Sequence, residues 1–307
     1  MGTPGAIATD RSIGRGIAFM FASIVAFALA SSFAKSAFDT YSVIEIGFFR
    51  SAFAILPALA LMPHRGGIAL FRTAHPASHL YRAGIGIVSS LLYYVSLQAL
   101  PLADATALSF AAPLFLTALS VPMLGEKVGI YRWSAVLIGF VGVLIITRPG
   151  SDVFNLGTLA GLGSSATWAF AMVSVRKLSK HEHPITITLY YAVIGTALTG
   201  LLLPFGWTTP DLKGLVLLAS IGLAGGVGQY LVTEAFRHAP AAVAAPLNYV
   251  SIVILSVVGF VVWHEVPTPS LLLGSLIVIT SGLFIVYREV RRKGPLVQNA
   301  VLNPGQD

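Results

Sequence analysis

Ten apolar runs, each close to 20 residues long, leave this chain few folds to choose from. They cover roughly 13 to 35, 42 to 62, 82 to 100, 103 to 124, 129 to 147, 156 to 176, 184 to 204, 212 to 236, 241 to 263 and 268 to 287. About 20 apolar residues carry a helix across the hydrocarbon of a bilayer. Lipid admits only helices and closed barrels, and runs this long exclude barrel strands. Only 10% of the residues are charged and the mean hydropathy is +0.83, against about 25% charged in ordinary soluble domains. Most runs also lack the polar face that a soluble helix needs. The chain therefore reads as an all-α membrane protein with ten transmembrane helices. Connections are short and rich in Pro, Gly, Asp and His, and the longest, MPHRGGIALFRTAHPASHLYR, joins the second and third spans.

The polar residues set orientation and remove several function classes. With no cysteine, disulfides, thiolate metal sites and cysteine nucleophiles are out. The net charge of +7 would suit nucleic acid if it formed a patch, but the basic residues fall between spans. Arg11, Arg15, Arg65, Arg72, Arg82, Lys127, Arg132, Arg176, Lys177, Lys180, Arg237, Arg288, Arg291, Arg292 and Lys293 gather on one side, and only Lys35, Arg148 and Lys213 on the other. Basic residues favour the cytoplasmic face, so both termini are expected there. The first twelve residues are short and polar, without the pattern of a removable signal peptide.

The chain also repeats itself. Pro101 to Glu126 and Pro240 to Glu265 show the same separation, 25 residues, around an apolar span broken by proline. Gly16, Phe27 and Lys35 match Gly157, Trp168 and Arg176 at an offset of 141, and Ser134, Gly142 and Arg148 match Gly274, Gly282 and Arg288 at 140. Two units follow, 13–148 and 156–288, each of five spans. An odd number of spans turns the second copy upside down in the membrane. Inverted repeats are the architecture of secondary transporters, with the substrate near the midplane between the halves.

The run YYVSLQALPLADATALSFAAPLFLTALSVPMLGEK, followed by RWSAVLIGFVGVLIITRP, resembles the EamA-type members of the drug/metabolite transporter superfamily. So does TEAFRHAPAAVAAPLNY with VVWHEVPTPSLLLGSLIVITSGLFIVYR in the second half. The resemblance spans about residues 13 to 290 and implies a ten-helix permease that moves small organic metabolites by alternating access. The segment IEIGFFRSAFAILP together with ALSFAAPLF is similar to the branch with S-adenosylmethionine importers, and riboflavin importers and aromatic amino acid exporters share its plan.

Arg50 is the most informative single residue. It lies about eight residues into its span, roughly 12 Å deep at 1.5 Å per residue. An uncompensated charge there costs at least ~2.5 to 3.5 kcal/mol. Two readings stand: an anchor for an anionic substrate group, or a structural pair with Glu45 or a backbone carbonyl. Glu45, near the outer interface, reads as a snorkelling carboxylate, and Glu234 as a helix-end partner of Arg237 and His238; each is also a candidate for proton coupling. Glu126 and Glu265 read as helix-end features.

Aromatic and polar residues inside the spans supply the rest of the candidate site: Tyr93, Ser109, Phe110, Trp168, Tyr190, Gln229, Asn248 and Tyr249. Repeat symmetry sets Ser109-Phe110 opposite Asn248-Tyr249. Tyr94, Tyr191, Tyr230 and Gln98 also lie within spans. Pro113, Pro122 and Pro246 are expected to interrupt helices, while Gly157 with Gly161 and Gly222 with Gly226 mark close helix packing. His181-Glu182-His183 reads as a solvated loop.

Transport of a small molecule by a protein in contact with the lipid bilayer is the leading reading. The chain is not expected to be an enzyme, to hold a cofactor or metal, or to bind nucleic acid. A membrane-embedded lipid-modifying enzyme would need clustered carboxylates or histidines within the spans. A non-transporting assembly partner has no use for an inverted duplication or a buried arginine. No phosphate-cradling loop of an ATP-driven pump is present. Composition leaves monomer and homodimer both open.

Overall fold

A computed structural model describes residues 10–64, 67–124, 129–148, 155–178, 181–238 and 245–302. They form α1 (Asp10–Ala37), α2 (Val43–Leu61), α3 (Pro76–Ala99), α4 (Leu102–Ser109), α5 (Ala112–Leu124), α6 (Ile130–Thr147), α7 (Leu156–Leu178), α8 (Pro184–Leu202), α9 (Leu212–His238), α10 (Val250–Trp263) and α11 (Pro269–Leu302), with short 3-10 turns and no strand among the described residues. Seven stretches are long and apolar enough to span a membrane, and Trp133–Thr147, Leu247–Trp263 and Pro269–Ile285 are shorter apolar helices. Together they fall on the ten runs expected from the sequence.

Local chemistry sets the helix ends. The Ser42 hydroxyl caps α2 by accepting from the Glu45 N–H at 3.2 Å, and His183 caps α8 through the Ile185 N–H. The fourth span is not one helix but two. Pro113 has no N–H to offer the Ser109 carbonyl, and the chain tightens into i→i+3 bonds, Phe110 N–H to Ala107 and Ala111 N–H to Leu108. In the second copy the same place is a 3-10 turn, Ala245–Tyr249, that contains Pro246. Pro122 departs from expectation, since α5 runs on to Leu124. Glu126 lies outside the described residues.

Packing repeats the symmetry. The first helix of each unit lies against the third-span helix of the other, α1 on α9 and α7 on α3. Equivalent spans meet each other: α2 with α8, α4 with α10, α6 with α11. These last pairs straddle the pseudo-two-fold axis. The close approaches rest on glycine: a Cβ on Gly142 would stand 2.8 Å from the Gly274 carbonyl, and one on Gly222 would stand 2.5 Å from Phe53 Cβ. Away from the contacts, Leu137, Val141 and Leu144 form an exposed apolar stripe on α6, the face that lipid covers.

Contacts also sort the helix ends into two sides. On the side where α1 begins, the N side, Phe19 meets His238 with ring centroids 5.4 Å apart, and Thr73 donates to Glu182. On the far side, Ser42 Oγ donates to the Gly206 carbonyl at 2.6 Å and Lys35 reaches Glu265 at 2.5 Å.

Candidate functional site

Arg50 is the eighth residue of α2, about 10 Å along its axis. Its Nη1 donates to Ser90 Oγ at 3.3 Å and, at the long limit, to Tyr191 Oη at 3.5 Å. Ser90 and Tyr191 share a 3.0 Å bond, and Tyr191 Oη also reaches the Gly86 carbonyl at 3.4 Å. Tyr93 and Tyr94 lie within electrostatic range of the guanidinium, and Tyr93 Oη meets Ser31 Oγ at 3.3 Å. A well-formed hydrogen bond to a charged group contributes about 1.5 to 3 kcal/mol, so two long ones offset a large part of the ~3 kcal/mol insertion cost. They bring no counter-charge.

The pairing of Arg50 with Glu45 considered from the sequence is absent. Five residues apart on a helix, the two side chains point about 140° apart at 3.6 residues per turn. Glu45 is not a snorkelling surface group either: it is 0% exposed, and its Oε2 accepts from the Thr208 N–H at 3.2 Å. In doing so it ties the start of α2 to the loop after α8. Glu234 Oε2 lies 3.7 Å from Nδ1 of His238, one of the two partners expected for it at the helix end.

Arg82 was missed by sequence reasoning, which counted it among basic residues at a membrane surface. The helix starts six residues earlier than the apolar run, at Pro76, so Arg82 is inside the bundle. Its guanidinium lies over the Tyr191 ring, 4.1 Å from the centroid, a cation–π contact. Tyr191 and Ser90 were missed as site residues too. Tyr191 had a signal: it stands 141 residues from Arg50, the repeat offset.

Phe110 and Tyr249 do meet, with centroids 5.0 Å apart. No hydrogen bond joins their polar neighbours, Ser109 and Asn248. Ser109 Oγ donates to the Thr106 carbonyl at 2.6 Å, within its own helix, and the Asn248 carbonyl accepts from Ser251 Oγ. Tyr190 belongs elsewhere: its hydroxyl donates to the Phe71 carbonyl at 2.8 Å and its ring stacks on His79 at 4.5 Å, fastening the N side. Trp168 continues the α7 face that carries Gly161 and Ser165, one turn nearer the N side, and is 47% exposed. Gln229 stands one turn beyond Gly225, whose Cβ position is 3.8 Å from Arg50 Nε, and is exposed as well. Both exposed side chains lie in the half of the bundle toward the N side.

The far side is fastened. Glu265 accepts Lys35 through Oε1 and the Leu102 N–H through Oε2 at 2.7 Å, while Lys35 Nζ also donates to the Leu100 carbonyl at 2.9 Å. One carboxylate of the second unit holds α1 and the start of α4 in the first. Its reading as a mere helix-end feature misses that bridge.

A ten-span bundle of two inverted five-helix repeats, with buried polar groups where equivalent helices cross, defines a multi-pass membrane protein of the transporter kind. The chain belongs to the EamA-like transporter family, whose profile matches residues 14–148 and again 155–287. It is 32% identical over 279 residues to a riboflavin transporter of Rhizobium johnstonii, covering 91% of this chain and 90% of that one. It is 29% identical to an S-adenosylmethionine uptake transporter of Rickettsia bellii (80% and 84% covered) and 30% identical to a pseudopaline exporter of Pseudomonas aeruginosa (83% and 90%). A solved crystal structure shares the fold with a TM-score of 0.66 at 16% identity, over 91% of this chain and 99% of the other.

Proposed function

We propose that this protein is a secondary transporter, with repeats at 13–148 and 156–288, that moves a small organic metabolite across a bacterial inner membrane by alternating access. The metabolite is an amino acid or an amino-acid- or nucleoside-derived compound. The observation that carries this reading is the hydrogen bond between Arg50 and Tyr191, equivalent residues of two inverted repeats, in the middle of the bundle. A structural protein gains nothing from a charge held there by neutral hydroxyls. The basic residues make the N side cytoplasmic. The Glu265 bridge on the far side and the exposure of Trp168 and Gln229 toward the N side then support an inward-facing state. Substrate would meet Arg50, Tyr93, Phe110, Trp168, Gln229 and Tyr249, while Ser109 and Asn248 shape the site and Tyr190 braces the N side outside it. Among the coupling candidates, Glu234 retains a titratable partner in His238 and Glu45 acts as a structural acceptor.

The test is counterflow in proteoliposomes with riboflavin, S-adenosylmethionine and pseudopaline, preceded by a thermal-shift screen, since a ligand stabilises the state it binds. Saturable exchange of one compound that ceases in Arg50→Ala supports the reading. Correctly inserted protein that exchanges none of them, nor other amino acids and nucleosides, refutes it.

A further inference from the structure

Arg50 and Arg82 converge on one phenol. Arg50 approaches the Tyr191 hydroxyl and Arg82 covers the face of its ring, so two full positive charges are held at a single neutral side chain inside the bundle. Neither is paired with a carboxylate among the described residues. Nε and Nη1 of Arg82 are removed from solvent and make no hydrogen bond, although a guanidinium carries five donors. Holding like charges together in a partly buried site without an anion is costly from both desolvation and repulsion. The arrangement is nevertheless built. Gly86 leaves the room that Arg82 occupies, since a Cβ there would stand 2.7 Å from Arg82 Nη1 and 2.8 Å from Tyr191 Cε2, and Ser90 fixes the phenol from the other side.

We infer that Arg50 and Arg82 together form an oxyanion-binding pair, so that the transported molecule presents a carboxylate or a phosphate to them and is anionic at that end. The inference rests on the transport reading of the same site and adds a second anchor, Arg82, and a substrate class. Guanidinium suits this task because its planar fork matches both oxyanions with paired hydrogen bonds. Tyr191 spaces the two forks and supplies a neutral surface between them. An anion arriving from the N side would meet Arg82 first and Arg50 deeper in, which orders the two as capture and seating groups.

The test uses the purified full chain in lipid nanodiscs and reads thermal stabilisation against inorganic phosphate, acetate and succinate, with acetamide and succinamide as uncharged isosteres. Saturable stabilisation by phosphate or by the carboxylates, with none from the amides, is the expected result, and which anion acts distinguishes the two oxyanions. Arg82→Gln should weaken that response at least tenfold, and Arg82→Lys, which keeps the charge and loses the fork, should weaken it less. Gly86→Ala should weaken it with every charge retained. Equal responses to anions and amides would overturn the inference without any variant, and so would an anion response unchanged in folded Arg82→Gln. An arginine-dependent anion response in a protein that transports nothing would leave the site standing and remove the transport reading. Transport that needs Arg50 and ignores Arg82 would do the reverse.

Discussion

Arg50 and Tyr191 stand 141 residues apart in the chain and 3.5 Å apart in space. Because 141 is the offset of the internal repeat, the two are the same position in the two copies. Equivalent residues that touch must straddle the symmetry axis. Phe110 and Tyr249, related by the offset of 139 and 5.0 Å apart, do so as well. Duplication thus set two identical positions against each other, and divergence made one of them a charge and the other its acceptor.

Tyr191→Phe keeps the ring under Arg82 and removes the hydroxyl shared by Arg50, Ser90 and the Gly86 carbonyl. Loss of one charged hydrogen bond, about 1.5 kcal/mol, should raise the KM of uptake about tenfold with the protein still folded. The concentration dependence of uptake measures it. An unchanged KM would mean that the hydroxyl only braces helices.

The far-side bridge should behave as a latch. The chain has no cysteine of its own, so Ser256→Cys, which lines the far-side cleft beside Glu265, reports access through an impermeant maleimide. Glu265→Gln or Lys35→Glu should raise labelling several-fold, and the exchange of both charges, Lys35→Glu with Glu265→Lys, should restore part of the protection. Labelling that ignores all three variants would show that other contacts close this side.

Gly282 is where the Tyr249 hydroxyl rests, since a Cβ there would stand within 2 Å of it. Gly282→Ala should displace the ring, lower stability by about 1 to 3 kcal/mol through overpacking and change substrate selectivity. Gly84→Ala, with no atom within 4 Å of the new methyl, is the control expected to hold its melting temperature or exceed it. Equal effects of the two would argue that Tyr249 is free to move.

For Glu45, the contact with Thr208 N–H predicts that Glu45→Ala leaves a buried donor unsatisfied, at about 1 to 3 kcal/mol. Glu45→Gln keeps an acceptor oxygen and should cost less. If a pH gradient drives transport in proteoliposomes, that transport should persist in Glu45→Gln; its loss there, with stability kept, would make Glu45 the coupling group after all.

The fold was legible because lipid permits so few solutions. Apolar length located all ten spans, and the offset between Pro101–Glu126 and Pro240–Glu265 exposed the duplication. The candidate site could be approached from sequence only in part. Arg50 announced itself as a charge within a span, and repeat symmetry led to Phe110 and Tyr249. What failed was direction around a helix. Tyr190 and Tyr191 are neighbours in sequence, yet 100° of rotation sends one to the Phe71 carbonyl and the other to Arg50. Glu45 and Arg50, close in sequence, face apart for the same reason. Arg82 was lost at a boundary, because hydropathy begins the third span at the residue that the helix, starting at Pro76, has already carried a turn and a half inside. Glu265 could not be assigned from its own copy at all, since its partners Lys35 and Leu102 lie in the other.

Counterflow of a radiolabelled metabolite identified by thermal shift, compared between wild-type protein and Arg50→Gln in the same proteoliposomes, tests the proposed transport site most directly. Exchange should be saturable in the wild type and fall at least tenfold in Arg50→Gln, with the same amount of folded, inserted protein. Full exchange by Arg50→Gln would contradict a substrate site at the crossing of the two repeats.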